Sequence, residues 1–240
     1  MVVPKKIKTQ RRSLLPQLGN MRISKSEAGR RPEKAQLDAR RKEEYLEHDR
    51  YGVEDERTKK GWPAFRSELW KVEKNLQTNI VEYVQERISK FSEKTPFKVM
   101  DLGCGAGVAL KELKGRHRKK IKTTGVVLRK TSGETYGGVD RLIEGDINQI
   151  NPREKYDLIF SNAGATFYTR LKTTAFERVI SWLKPDGRAI LEMGHMSEDT
   201  LNELKTLLMQ NGIKNYELRK DTAVGGIILD FIKPVPKLPK

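Results

Sequence analysis

At 240 residues the chain has length for one sizeable α/β domain plus an extension, and too little for two domains with independent cores. A third of its residues are charged and no apolar run approaches the roughly 20 residues that span a bilayer, which excludes an integral helical membrane protein. The net charge of +16 is unevenly placed: residues 1–34 and 111–131 each carry a net +8, so these two stretches hold the whole excess. Charge clustered in this way attracts polyanions through counterion release, and an RNA or ribonucleoprotein contact is expected of both stretches, solubility alone being the plainer reading. Cys104 is the lone cysteine, so no intrachain disulfide and no cysteine-based metal site can form, and no other metal site is expected.

Residues 1–34 mix Lys and Arg with Gly, Pro and Ser without a sustained period, which predicts a disordered tail. Its apolar patch at Leu14-Leu15 is too short for a secretory signal, so a cytoplasmic setting is expected. An organellar one stays open, because a basic start also fits a transit peptide, and a nuclear one is not excluded. Ala35 to Asp49 reads as a solvated helix, and Gly61-Trp62-Pro63 breaks the chain. Leu69, Val72, Leu76, Ile80, Val84, Ile88 and Phe91 then recur every three or four residues, which predicts one helix of about seven turns facing a core. Tyr45, Tyr51, Trp62, Phe65 and Trp70 interleave with charges and either stack bases, form a lid, or pack the extension onto the domain that follows.

Beyond Thr95-Pro96 short β-rich runs alternate with helical segments, the pattern of an α/β sheet with crossover helices. Strands are predicted at Phe97–Leu102, Thr123–Leu128, Arg141–Glu144, Leu158–Ser161, Arg188–Met193, Tyr216–Arg219 and Gly226–Ile232, and helices at Val108–Leu113, Thr173–Leu183 and Ser197–Asn211. The final two strands are joined by a short loop and should be antiparallel. The expected organisation is a basic tail (1–34), a helical extension (35–95) and a sheet domain (96–240).

The first strand ends in Val99-Met100-Asp101-Leu102-Gly103-Cys104-Gly105-Ala106-Gly107 and runs directly into a helix. Alternating glycines let the backbone turn sharply and approach a ligand, and the helix start offers free N–H groups beside it. Val108 stands where the nicotinamide fingerprint has its third glycine, and no Gly-Lys-Ser/Thr follows as in a phosphate-binding loop. At these residues the chain resembles the class I S-adenosylmethionine-dependent methyltransferases, whose first motif is an acidic residue followed by Gly-x-Gly-x-Gly. Glu144-Gly145-Asp146-Ile147, Lys155 to Ala163 and Trp182 to Arg188 are similar to later landmarks of that family, in order, over about 140 residues.

The resemblance implies a Rossmann-like seven-stranded sheet with helices on both faces, methyltransferase activity, and S-adenosylmethionine as cofactor. It implies that Asp101 holds the methionine amino group, that Gly103, Cys104, Gly105 and Gly107 approach the methionine and ribose, that Asp146 with Ile147 reads the adenine, and that Ser161 borders the site. Asp101 could instead cap the next turn, and Asp146 could be a simple loop residue. Val127 stands where the family places an acid for the ribose hydroxyls, so Glu134 or Asp140 swings in, water fills the place, or affinity is low. Two hydroxyls buried without acceptors would cost about 1 to 3 kcal/mol each. The segment between the second and third strands is short and glycine-rich, which predicts a flexible loop beside the adenine. Asn162, Tyr168 and His195 are the candidate acceptor-side residues; His195 is either a base or a solvated loop histidine.

The leading expectation is methyl transfer to RNA or to a ribonucleoprotein-associated protein. The rivals are a small-molecule methyltransferase and a non-catalytic basic nucleic-acid-binding module on a degenerate fold. The 115–120 run should lie on the sheet edge opposite the glycine loop, while Arg129 and Lys130 lie on the active edge. No membrane contact is expected, and the sequence leaves the oligomeric state open.

Overall fold

A computed structural model describes residues 66–130, 135–169, 171–220 and 226–236. The expected tail, the helix at 35–49, the aromatics Tyr45, Tyr51, Trp62 and Phe65, the tip of the loop before the third strand and Glu134 lie outside the described residues.

The described chain forms α1 (Leu69–Asn75), α2 (Ile80–Ile88), β1 (Phe97–Leu102), α3 (Val108–His117), a 3-10 turn (Arg118–Lys120), β2 (Ile121–Val127), β3 (Arg141–Glu144) and β4 (Tyr156–Ser161). There follow α4 (Ala165–Tyr168), α5 (Lys172–Trp182), β5 (Leu183–Gly194), α6 (Glu198–Gln210), β6 (Tyr216–Lys220) and β7 (Ile227–Ile232). The seven strands lie in the order β3-β2-β1-β4-β5-β7-β6. Neighbours from β3 to β5 are parallel, whereas β7 runs antiparallel to both β5 and β6, as the short final connection predicts.

Alternation along the strands divides the apolar residues between two faces. Met100 and Leu102 of β1 join Phe176, Val179, Trp182, Leu204 and Leu207 of α5 and α6 on one side. Phe97 and Val99 join Leu110 and Leu113 of α3 and the apolar residues of α1 and α2 on the other. Central β4 is buried at all six positions, which is why it reads as a nearly continuous apolar run. The two helices that precede Phe97 therefore share a core with the sheet.

The single seven-turn helix expected over Leu69 to Phe91 is instead two. Gln77 adopts φ of +50°, and the Asn79 side chain accepts from the Glu82 N–H at 2.9 Å to start α2 afresh. Burial along Leu69, Val72, Leu76, Ile80, Val84 and Ile88 nevertheless follows the predicted period, because both helices turn their apolar faces to one core. The break lets the linker grip the far strands: Gln77 Nε2 donates to the Lys220 carbonyl and Arg219 donates to the Gln77 carbonyl. β5 also begins earlier than predicted. Its first residues wrap the expected turn, held where Asp186 N–H donates to the Lys233 carbonyl and Lys233 N–H donates to that of Gly187. Among the described residues no helix is long and apolar enough to cross a membrane.

Candidate functional site

Strand order reverses between β1 and β4, the switch point beyond whose carboxyl ends a ligand crevice usually lies in such sheets. Gly103, Gly105 and Gly107 all have positive φ, at 100°, 52° and 75°. The Gly103 and Cys104 N–H groups both donate to the Val126 carbonyl, tying the loop to β2, and Gly107 caps α3. A Cβ on Gly103 would stand 2.5 Å from the Gly164 Cα, and one on Gly164 would stand 1.9 Å from the Leu102 carbonyl oxygen. The loops after β1 and β4 are thus in backbone contact that side chains would prevent.

Asp101 lies at the base of this loop and is 5% exposed. Among the described residues its carboxylate has no hydrogen bond or ion pair, and burial raises its pKa to about 8. A buried acid in this condition suits a cationic amino group brought by a ligand better than a cap on the next turn. Cys104 turns its sulfur toward Gly125, where a Cβ would meet it at 2.5 Å, and burial, then the nearby Asp101, pushes its thiol pKa up. It can offer a ligand its backbone, not a thiolate.

Val127 ends β2 as a buried apolar residue. The expectation that Asp140 could swing in is corrected by its contacts: it pairs with Lys114 and accepts from the Thr123 N–H and hydroxyl, both at 2.9 Å. These fix it beside the start of β2, well back from the crevice. Sequence reasoning passed over Glu144, the register partner of Val127 at the end of β3, whose carboxylate accepts from the Lys130 N–H at 3.2 Å. The Asp146 carboxylate accepts from both the Asn148 N–H and its side-chain amide, while Ile147 buries its side chain in the core. Asp146 therefore shapes the turn after β3 whatever else it meets, and Ile147 can present only backbone. The Ser161 hydroxyl is wholly buried and donates to the Leu102 carbonyl at 2.8 Å, which joins β1 to β4 rather than facing the crevice.

After β4, Ala163 holds φ of +44°, strained for a residue with a Cβ. Its N–H donates to the carboxylate of Glu192, a 3%-exposed acid in the apolar end of β5. Asn162 beside it keeps Oδ1 buried without a hydrogen-bond partner among the described residues. Lys172 donates from Nζ to the Thr166 and Phe167 carbonyls, and burial lowers its pKa to about 8 although neighbouring Glu192 opposes the shift. Tyr168, Lys172 and His195 line one cavity of about 410 Å³ with Phe167 and Met196, beyond the carboxyl ends of β4 and β5. The Tyr168 hydroxyl is held above the usual phenol range, by burial first and by Glu192 second. Two of the three candidate acceptor-side residues are thus brought together, and Asn162 sits apart from that cavity. Glu192 and Lys172 were missed; a charge inside the apolar run Ile190 to Met193 was the available signal for the first.

No protein-family model matches the chain. It is 29% identical over 140 residues to the malonyl-[acyl-carrier protein] O-methyltransferase of Calditerrivibrio nitroreducens, covering 57% of this chain and 51% of that protein. It is 28% identical over 137 residues to malonyl-[acyl-carrier protein] O-methyltransferase 2 of Ilyobacter polytropus, covering 54% and 51%. The chain thus spans about half the length of these curated relatives. Among solved structures, the plantazolicin methyltransferase BpumL, bound to a desmethylplantazolicin analogue and S-adenosylhomocysteine, aligns with a TM-score of 0.50 and 12% identity over 85% of this chain and 99% of that one. With its strand order, antiparallel seventh strand and glycine loop, the chain has the fold of the class I S-adenosylmethionine-dependent methyltransferases.

Proposed function

We propose that the chain is an S-adenosylmethionine-dependent methyltransferase, and that the observation carrying this reading is the buried, unpartnered Asp101 carboxylate beneath a glycine loop at the switch point of the sheet. When bound, the donor supplies an electrophilic methyl group on a sulfonium that departs as a neutral thioether. Asp101 takes the methionine ammonium, the Gly103 to Gly107 backbone lies against the methionine and ribose, and Glu144 serves as the ribose acceptor that Val127 cannot be. Glu192 holds the Ala163 turn in place beside the transfer site. Sulfonium methyl transfer needs mainly an aligned, desolvated nucleophile, so this positioning can supply much of the acceleration without a dedicated base.

The acceptor in this reading is RNA or a protein of a ribonucleoprotein particle, supported by the two basic stretches that hold the whole charge excess. An intracellular, cytoplasmic setting goes with it. A second reading takes a small or carrier-borne acid as acceptor, favoured by the resemblance to two carrier-protein O-methyltransferases and by Lys172 and His195 in the acceptor cavity. A third, favoured by Val127, is a basic binding module without turnover. Labelled-methyl transfer from S-adenosylmethionine to separated cell RNA, protein and metabolite fractions decides among them. The first reading expects label in RNA or in ribonucleoprotein proteins; label confined to metabolites or to acyl carrier protein supports the second, and no transfer the third.

A further inference from the structure

The amino ends of the parallel strands carry a second cavity, of about 360 Å³, where α3 ends and the 3-10 turn leads into β2. Arg116, Arg118, Lys119 and Lys120 line it, against one carboxylate, Glu93. Arg118 has φ of +50°, so the chain bends sharply and these side chains radiate from one corner instead of spreading along a helix. Glu93 pairs with Lys119 at 3.6 Å in solvent; among the described residues Arg116, Arg118 and Lys120 have no ion pair. One cation suffices to offset the end of a helix dipole, so three more at the same end need another account.

His117 supplies an independent observation. It lines the same cavity, is 8% exposed, and keeps Nε2 buried without a hydrogen-bond partner among the described residues. Burial, then Arg116, holds its pKa below the usual imidazole range. Leaving a buried ring nitrogen unpaired costs stability, and a turn of the His117 ring that brings Nε2 to the cavity wall would let an anionic oxygen accept from it.

We infer that this corner is a phosphodiester-binding site that holds the backbone of an RNA strand while the acceptor end of the same molecule reaches the opposite edge of the sheet. The inference rests on the RNA reading above and names the surface it uses. β2 spans six residue steps of about 3.3 Å, so the corner and the glycine loop are about 20 Å apart, a span that calls for a polymer rather than a nucleotide. No Phe, Tyr or Trp side chain lines the cavity, and its cations outnumber its one carboxylate, so the contact reads phosphates rather than bases.

The test uses the full chain, a fluorescent single-stranded RNA of mixed sequence, and anisotropy across a salt series. Replacing Arg116, Arg118 and Lys120 together by Gln is expected to weaken binding at least tenfold and to lower the slope of log K against log salt by about 2. Replacing Lys74, Lys205 and Lys214 by Gln removes equal charge elsewhere and is expected to change affinity less than twofold. His117→Leu alone is expected to cost three- to tenfold. Equal losses in both triple variants, or none in the corner triple, overturn the site, as does displacement of the RNA by polyglutamate as readily as by unlabelled RNA. S-adenosylhomocysteine affinity measured on the same variants separates the two readings: retained donor binding with failed RNA effects removes the corner site and leaves the methyltransferase proposal standing.

Discussion

Asp101 couples ligand binding to pH. With the donor absent its carboxyl ionises at about 8, far above the roughly 3.9 of an unfolded aspartate, because it is buried without a counter-charge. A raised carboxyl pKa gives the fold a contribution that is full below the unfolded value and is lost as pH rises through about 8. Asp101→Asn should therefore raise the melting temperature relative to the parent chain at pH 9 and change it less at pH 5, a comparison that thermal scans at the two values make directly. A donor ammonium restores the ionised form, so at pH 7 binding should release close to one proton, read from calorimetry in buffers of different ionisation enthalpy; Asp101→Asn should lose both the release and most of the affinity. The glycines were legible because a strand, turn and helix need them at fixed spacing, whereas Asp101 was singled out through the family resemblance. Cys104, Ile147 and Ser161 lie where the motif puts their backbone, but their side chains turn inward, since a linear motif fixes where the backbone lies and not where a side chain points. Glu192 and Lys172 meet across 20 positions of chain, a proximity that no local pattern encodes.

The paired helices α1 and α2 show what periodicity conveys at the scale of elements. Burial every three or four residues told which side chains face the core and said nothing of whether one axis or two carries them. The break was written in Asn79 and Glu82, a capping residue with an acid three positions on, read past because the apolar period continued through it. Asn79→Ala should cost about 1 kcal/mol of stability by removing the bond to the Glu82 N–H, measured by urea unfolding with an unchanged m-value. The four-residue α4 left no trace in the sequence because one turn is shorter than the period used to find helices. The extension of β5 was hidden by Pro185 and Gly187, which read as a turn and here form an irregular start of the strand.

At the scale of the whole described fold, the candidate sites fall on two opposite edges of one sheet. The carboxyl edge holds the glycine loop, Asp101 and the cavity lined by Tyr168, Lys172 and His195, and the amino edge holds the basic corner beside α3. The seven strands and the antiparallel final pair were legible because each strand left its own signal and the last connection is short; the order of strands in the sheet came only with the family resemblance. What the acceptor is was not, because charge totals name a sign and not a partner. If residues 1–34 add diffuse affinity for RNA, their deletion should raise the apparent KM for RNA several-fold, flatten its salt dependence and leave donor affinity unchanged, as steady-state assays over a salt series would record. All of this depends on donor capture at the loop after β1. Equilibrium dialysis of the folded full chain against radiolabelled S-adenosylmethionine is the most direct measurement of that capture. The account predicts one donor retained per chain, and none by Gly105→Arg, whose side chain would enter the cradle; retention by the parent chain no greater than by that variant would contradict it.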